Sequence, residues 1–512
     1  MGGLPLLAGP PGGDDAYYHA MYAVEHARCL AAGVVFPRWY PDLNGGLGGP
    51  EPRPRPLLPL LASGALAWLL QDAVAALVVV TALTPLLAGI VTLLALRRVG
   101  VPTPRAALGA AVWAAAPYLV TSLHQRVAIQ ECLALAVLPW VFACLLPPGP
   151  RDRRDVVGGA LAVACLLATQ LLVSFMAALA VAAVQLVHRE RQPLRAARAV
   201  VMGAALAAVS WLPNVVSLAR QRSQSFVSGW FDWRDRFLFT GGDGVRPASE
   251  AMGWVFVGVG LAALVLMAVR DARPTAAVAL GCAALSIPVA RPLWEVVPGF
   301  ALLQFPWRWL GVASALVVWA ASVARAGRWG GAALVALALP LLAVRPTAER
   351  LPAGPPLRPA GTSAEIASAA TRFGVLPILP SFPAALPRGA DPFAALRAAP
   401  AARAALTARE RGPVRWSWEA NSPTGGVVRL PILADDGWEV RVGGRRVGWS
   451  AEESLVAVPV PAGRWLVEAR QVLLPEDMAG IAISALAWAV LLGAAWRRLS
   501  GAAAGRASPP AG

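Results

Sequence analysis

The sequence predicts a polytopic α-helical membrane protein of about eleven spans with a small β-sandwich domain outside the membrane. Three observations predict it. Hydrophobic residues make up 57% of the 512 residues and charged residues 14%, against roughly 45–50% and about 25% in soluble chains. Apolar runs of spanning length recur from residue 73 to residue 344 and again near the C-terminus. Between them lies a stretch with the short, turn-punctuated runs of a β domain. Mean hydropathy is +0.57. This composition excludes a soluble enzyme, a disordered chain, a coiled coil and a secreted disulfide scaffold.

Each element follows in order. Residues 1–56 read as a first extracytoplasmic loop with an acidic motif; Leu4–Ala8 is too short for a signal-peptide core. Residues 57–344 form the helical membrane domain. Its run 57–70 is short and Pro-bounded, and reads as interfacial or re-entrant. The spans fall at 73–96, 106–123, 129–147, 199–218, 252–269, 275–290, 309–324 and 329–344. The run 156–187 is too long for one span and reads as a tight hairpin of two short helices. Residues 345–478 are the sizeable water-soluble region. From Pro413 its runs Val414–Trp418, Val427–Leu433, Trp438–Val442, Leu455–Val460 and Arg464–Leu473 alternate with turn residues. A last helix at 479–498 and a disordered cytoplasmic tail at 499–512 complete the reading.

Arginine placement tests this topology. The clusters Arg97–Arg98–Arg105, Arg151–Arg153–Arg154, Arg189–Arg198, Arg270–Arg273, Arg325–Arg328 and Arg497–Arg498 all fall on one side when crossings are counted. The positive-inside rule makes that side cytoplasmic and places the protein in the inner (plasma) membrane. Segments 1–56, 124–128, 219–251, 291–308 and 345–478 then lie outside. The N-terminus starts outside with no preceding span, which a missing first helix explains. All 45 basic residues are arginine. The net charge of +16 follows from topology. No basic stretch is interleaved with a nucleic-acid-binding motif, so no nucleic-acid partner is expected. The five cysteines form no CxxC pair, so neither disulfides nor a zinc site is expected.

Four places carry residues suited to chemistry. Asp14 and Asp15 precede a helical stretch with His19, Tyr22, Glu25 and His26. One aspartate caps that helix, and Asp15 and His19 share a face at i,i+4. A carboxylate beside an imidazole suits a divalent cation or a general base; a plain helix cap is the alternative. Arg126 and Glu131 flank the start of a span, where Arg126 suits a phosphate and Glu131 its orientation; snorkelling to the interface is the alternative. Gln304, Trp307 and Arg308 lie in Gln304-Phe305-Pro306-Trp307-Arg308, where the tryptophan suits an interfacial belt and the arginine an anionic headgroup. The loop Trp230–Arg236 mixes aromatics with both charges and suits either sugar stacking or local ion pairs.

These residues resemble a known group. The Asp14-Asp15 motif, the Pro37-Arg38-Trp39 and Asp42–Gly46 stretch, Arg126 with Glu131, the Gln304–Arg308 box and Asp436-Gly437-Trp438-Glu439-Val440 followed by Gly443-Gly444 occur in the order seen in GT-C-fold bacterial membrane proteins. More specifically, the chain resembles the "6-pyruvoyl-tetrahydropterin synthase-related" membrane proteins together with YfhO-type proteins, over most of its length. The pterin label implies no pterin chemistry. The resemblance implies a GT-C-like architecture and a glycosyltransferase. Such an enzyme moves a sugar from a polyprenyl-phosphate-linked donor to a glycan or protein acceptor of the envelope. It implies Asp14 or Asp15 as base or as ligand to Mg or Mn, with His19 beside it. Arg126 and Arg308 hold the lipid phosphate; Arg38, Glu131, Gln304 and Trp307 join the substrate site. Membrane lipids are the remaining partner. The chain departs from the pattern at the absent first helix, at the charged stretch Pro50–Pro56, and at Gln170, where relatives carry His. A non-catalytic relative acting in lipid-linked glycan transport or scaffolding is the alternative these departures motivate.

Overall fold

The computed structural model describes residues 15–53, 55–146, 154–188, 193–220, 232–240, 247–324, 327–342 and 405–506, with the side chains of 154–155, 218–220, 247–249 and 498–506 set aside. Asp14, the whole of segment 345–404 and the last residues of the tail lie outside these.

The chain opens with α1 (Ala16–Ala31). A single turn, α2 (Leu43–Gly46), follows, with Asn44 at φ 55 and Gly45 at φ 63. Helix α3 (Leu57–Leu70) packs along α1. Gly64 permits that contact, because a Cβ there would lie 2.7 Å from His26. Asp72 caps α4 (Ala73–Arg98) by accepting from the Val74 and Ala75 N–H groups.

Next come α5 (Thr103–Ala114) and α6 (Pro117–Thr121), which runs into a π-helical turn at Ser122–Arg126. Helix α7 (Ile129–Leu145) follows. Helices α8 (Arg154–Thr169) and α9 (Leu171–Val187) meet at Gln170, whose backbone is extended. The interruption lies where the sequence places it. Helices α10 (Pro193–Leu206) and α11 (Ala208–Arg220) are bent against each other by 79°. After α12 (Pro247–Met267) come α13 (Arg273–Ala284) and α14 (Arg291–Val296), bent by 92°. Helices α15 (Trp309–Val323) and α16 (Gly327–Ala338) close the bundle. α15 is buried on every side, as befits a helix apolar all round.

Among the described residues, four helices are long and apolar enough to cross a membrane, or up to six if each bent pair is one span. The expected eleven counted apolar runs. Many of those runs end in short helices such as α8 and α9, and at 1.5 Å per residue a 16-residue helix falls short of a hydrocarbon core of about 30 Å.

Two sheets form the C-terminal domain. Strands β1 (Ala405–Arg411), β2 (Arg415–Ser422), β3 (Gly426–Leu433), β4 (Trp438–Val442), β5 (Arg445–Val447), β6 (Ser450–Glu452), β7 (Leu455–Val460) and β8 (Gly463–Gln471) pair as β1-β2-β8-β4-β5 and β3-β7-β6. Trp416, Trp418, Val440 and Val467 of one sheet share a core with Val428, Leu430, Val456 and Val458 of the other. The sheet region therefore begins before residue 413. β1 was hidden because it is an exposed, charged edge strand with a bulge after Ala408. The short β5 and β6 were hidden too, being exposed and without alternation. Helix α17 (Pro475–Arg506) follows directly and continues past the expected boundary at 498.

The parts that the arginine pattern assigns to one side gather at one end of the bundle. The Asp15 N–H donates to the Arg126 carbonyl (3.0 Å), Arg308 pairs with Glu131, and Arg53 pairs with Asp435 of the β domain. At the other end Arg105 donates to the Ala324 carbonyl (2.6 Å), and Arg98 lies over Trp140.

Candidate functional site

The site is built around Glu131. After the π-turn, Val127 has φ 56 and ψ 37. A β-branched residue in the left-handed region costs on the order of 1–3 kcal/mol and marks a place where the surrounding fold imposes the geometry. The reversal folds Arg126 back onto the first turn of α7. Arg126 Nη1 lies 3.1 Å from Glu131 Oε1 and Nη2 lies 3.2 Å from Oε2, a two-pronged pair. The same carboxylate takes Arg308 Nε at 3.1 Å and the Tyr118 hydroxyl at 2.5 Å. A second strained residue, Gln304 (φ 63, ψ −48), supports Arg308 from the other side. Arg308 Nη1 donates to the Gln304 Oε1 (3.3 Å) and to the Leu303 carbonyl (2.7 Å). Phe305 lies under both guanidiniums, 5.1 Å from Arg308 and 6.0 Å from Arg126. Trp307, nearly buried, stacks on Phe305 at 4.9 Å.

Asp15 closes the site from α1. It occupies the N-cap position, but its carboxylate makes no cap bond, and Asp14, the other expected cap, lies outside the described residues. The main chain is pinned to Arg126 instead. Burial raises the Asp15 pKa above 3.8, while Arg126, Arg308 and Arg55 oppose that rise. The carboxylate thus lies in the field of three guanidiniums. One turn on, burial together with the charge of Arg55 lowers His19 to about 3, so its imidazole is neutral. His19 opens onto a groove between α1, α3, α4 and α7 lined by Tyr22, Leu60, Leu77, Val80 and Ile129, with Ser63 and Gln130 as polar points.

Charge decides what this constellation suits. Asp15 and Glu131 stand against Arg55, Arg126 and Arg308, an excess of one positive charge. A group of that sign attracts an oxyanion. It does not fit the expected Mg or Mn at Asp15 and His19, because a divalent ion there would face the same arginines. Among the described residues, no three His, Cys, Asp or Glu side chains converge as a metal-binding group.

The structure brings Asp15, His19, Arg126, Glu131, Gln304, Trp307 and Arg308 to one end of the bundle. It places Arg38 elsewhere. Its Nε lies 3.1 Å from Asp477 Oδ1 at the start of α17, a pair that ties the first loop to the last helix. The rest of the Pro37–Gly46 stretch docks the β domain. Trp39 lies in the β core, edge-on to Trp438 at 4.8 Å. Trp39 Nε1 would lie 2.2 Å from a Cβ at Gly48 (φ 72), so only glycine fits that turn. Arg411 bonds the Pro41 carbonyl (2.6 Å) and pairs with Asp42 (3.2 Å). In the loop Trp230–Arg236, Trp230 and Phe231 lie outside the described residues, and Trp233 is buried against Trp294 at 5.4 Å. The Asp232–Arg234 pair of the ion-pair reading is present.

Two residues of the site escaped the sequence reading. Arg55 lay in the charged Pro50–Pro56 run, noted only as a departure from the pattern. Tyr118 sat inside an apolar run, and its partner Glu131 reaches it only through the break after α6.

The chain matches the family described as "6-pyruvoyl-tetrahydropterin synthase related domain; membrane protein" over residues 56–349. Arg126, Glu131, Gln304, Trp307 and Arg308 lie inside that range; Asp15, His19 and the β domain lie outside it. Among solved structures, the arabinofuranosyltransferase AftD from Mycobacteria is similar at 17% identity with a TM-score of 0.39. The match covers 65% of this chain and 24% of AftD, so the chain spans about a quarter of that protein's length. No curated protein matches.

Proposed function

The chain belongs to the 6-pyruvoyl-tetrahydropterin synthase related family of membrane proteins, and from that premise we propose that it is a glycosyltransferase of GT-C type. Its donor is a sugar carried on polyprenyl phosphate, its acceptor a hydroxyl of the cell envelope, and its site faces the outer side of the membrane. One observation supports this reading: Asp15, half-buried, lies in the electrostatic field of Arg55, Arg126 and Arg308 at the end of the bundle.

The chemistry follows from that arrangement. The acceptor oxygen attacks the anomeric carbon and forms the new C–O bond. The bond from that carbon to the phosphate oxygen breaks, and the electron pair leaves with the lipid phosphate. The hydroxyl proton passes to the Asp15 carboxylate. Its raised pKa makes Asp15 a stronger base than an exposed aspartate. Arg126 and Arg308 oppose the charge growing on the leaving phosphate. Glu131 touches neither reactant in this scheme; it positions both arginines and is itself held by Tyr118. The apolar groove beside His19 suits the first isoprenoid units.

The test compares a deletion strain complemented with wild type or with Asp15→Asn at equal membrane levels, with lipid-linked and surface glycans read by mass spectrometry. A glycan that returns only with wild type supports transfer. Full restoration by Asp15→Asn rejects Asp15 as the base and favours the second reading, a non-catalytic carrier of lipid-linked glycans. That reading draws on Gln170, which interrupts the bundle between α8 and α9 where the resemblance expects His.

A further inference from the structure

A second concentration of cationic side chains lies away from the Glu131 cluster. A cleft between α1, the first loop, the start of α3 and the α10–α11 bend is lined by His26, Arg38, Arg53 and Arg55, with Phe36, Leu57, Val209 and Ser210 among its remaining walls. Among the described residues, no acidic side chain lines it. Asp435 and Asp477 lie behind, where they hold Arg53 and Arg38 in place, and Glu476 adds its charge next to Asp477. Arg55 packs over the Tyr22 ring at 4.2 Å. Its charge also reaches Asp15 and His19, so it stands between the two sites.

The nitrogens lining the cleft are under-used. His26 is 1% exposed. Its Nδ1 meets the Tyr40 hydroxyl at 3.1 Å, and its Nε2 has no hydrogen-bond partner among the described residues. When the Tyr40 hydroxyl donates to Nδ1, Nε2 carries the proton and donates into the cleft. The Nε atoms of Arg53 and Arg55 likewise lack a hydrogen bond among the described residues. Buried polar groups of this kind are nearly always satisfied. Three donors without an acceptor, with the Arg38 guanidinium beside them, call for an acceptor with several oxygens.

We propose that this cleft is a second binding site, for a phosphate group, set apart from the Arg126–Glu131–Arg308 cluster and built from His26, Arg38, Arg53 and Arg55. The carboxylates behind Arg38 and Arg53 orient those guanidiniums, and Arg55, whose charge also reaches Asp15 and Glu51, makes no carboxylate salt bridge among the described residues. The phosphate belongs either to a soluble molecule or to the headgroup of a membrane lipid, since Phe36 beside the cleft is half exposed. The site stands whether or not the chain transfers a sugar.

The test uses the full chain. In phosphate-free detergent it is titrated with inorganic phosphate by calorimetry. In nanodiscs of phosphatidylcholine, with or without phosphatidylglycerol, retained anionic lipid is read by native mass spectrometry. Saturable binding of at least one probe is expected. Arg55→Gln weakens it by about ten- to a hundredfold, the loss of one charge-assisted bond. Arg308→Gln leaves it within about twofold. Binding of inorganic phosphate identifies a soluble ligand; binding of phosphatidylglycerol alone identifies a lipid headgroup. Should Arg55→Gln fail to fold, Arg55→Lys and His26→Asn take its place and must each weaken binding. The proposal falls if neither probe binds, if the Arg55 and His26 variants bind like wild type, or if Arg308→Gln removes binding to the same extent.

Discussion

Helix α1 carries two buried charge clusters, and they are built on opposite principles. At its C-terminal half, Glu25 accepts the Asp42 N–H (3.2 Å), Arg28 pairs with Asp42 (2.9 Å), and Arg411 of the β domain pairs with Asp42 from above. Arg28 and Arg411 share Asp42 there, beside Glu25, and each arginine finds its partner inside the group, which is balanced in that sense. At its N-terminus, three guanidiniums, Arg55, Arg126 and Arg308, act on Asp15, and Glu131 takes two of them, so the partners are unevenly shared. That unbalanced cluster also carries strain, with Val127 and Gln304 both at positive φ. A cluster that fastens two parts of a fold gains from having each charge partnered, since an unpaired buried charge is costly. A cluster that carries excess charge and backbone strain is shaped for something that arrives from outside.

This contrast predicts that substitutions in the two clusters separate activity from stability. Trp39→Ala, beside the balanced cluster, empties the β-domain contact and destabilises by about 3–5 kcal/mol. Hydrogen exchange in β4 and β8 should report it, with turnover per folded molecule little changed. Asp15→Asn should do the reverse. It should lower transfer by about 10²–10⁴-fold while the thermal midpoint in detergent holds or rises; a matching loss of stability would make Asp15 a structural residue like its counterparts at the other end of α1.

Asp42→Asn leaves Arg28 and Arg411 without their carboxylate. We expect a loss of about 2–3 kcal/mol, visible as easier proteolysis between the β domain and the bundle. Glu25 sharpens the comparison through pH. Burial, with Asp42 beside it, raises its pKa well above 4.5. The folded protein therefore holds a proton that the unfolded chain releases. The associated stability is complete below about pH 4.5 and is lost as pH rises through the higher folded value. Thermal midpoints of wild type should decline upward from that point, and Glu25→Gln should flatten the decline; parallel curves would show that Glu25 keeps its charge in the fold. The smallest effect belongs to an exposed pair in neither cluster. Arg409→Ala, which frees Glu419 on the β1–β2 surface, should change stability by less than about 1 kcal/mol, as read by the same melts.

The sequence made much of the unbalanced cluster legible. Arg126, Glu131 and Arg308 were conspicuous because ionisable groups flanking apolar runs are rare, and Asp15 because it opened an amphipathic stretch. Arg38 was conspicuous too, but it lies apart from the Glu131 cluster, paired with Asp477 and lining the second cleft. Its neighbours Trp39 and Asp42 dock the β domain, and nothing in one dimension tells which cationic group an arginine joins. Arg55 and Tyr118 were invisible for the converse reason, one hidden in a proline run and the other in an apolar one.

Composition and period alone determined that the chain is a helical membrane protein with a β domain near its C-terminus, because burial of apolar surface depends on local pattern. They also determined where its charges would be exceptional. Tertiary structure decided which charges meet. The π-turn before Val127, the turn at Gln304 and the pinning of Asp15 to the Arg126 carbonyl bring side chains from distant segments onto one carboxylate. Electrostatic energy depends on distance and burial rather than on order along the chain, so the sign of the cluster, and with it the class of ligand it suits, emerged only when the chain was folded.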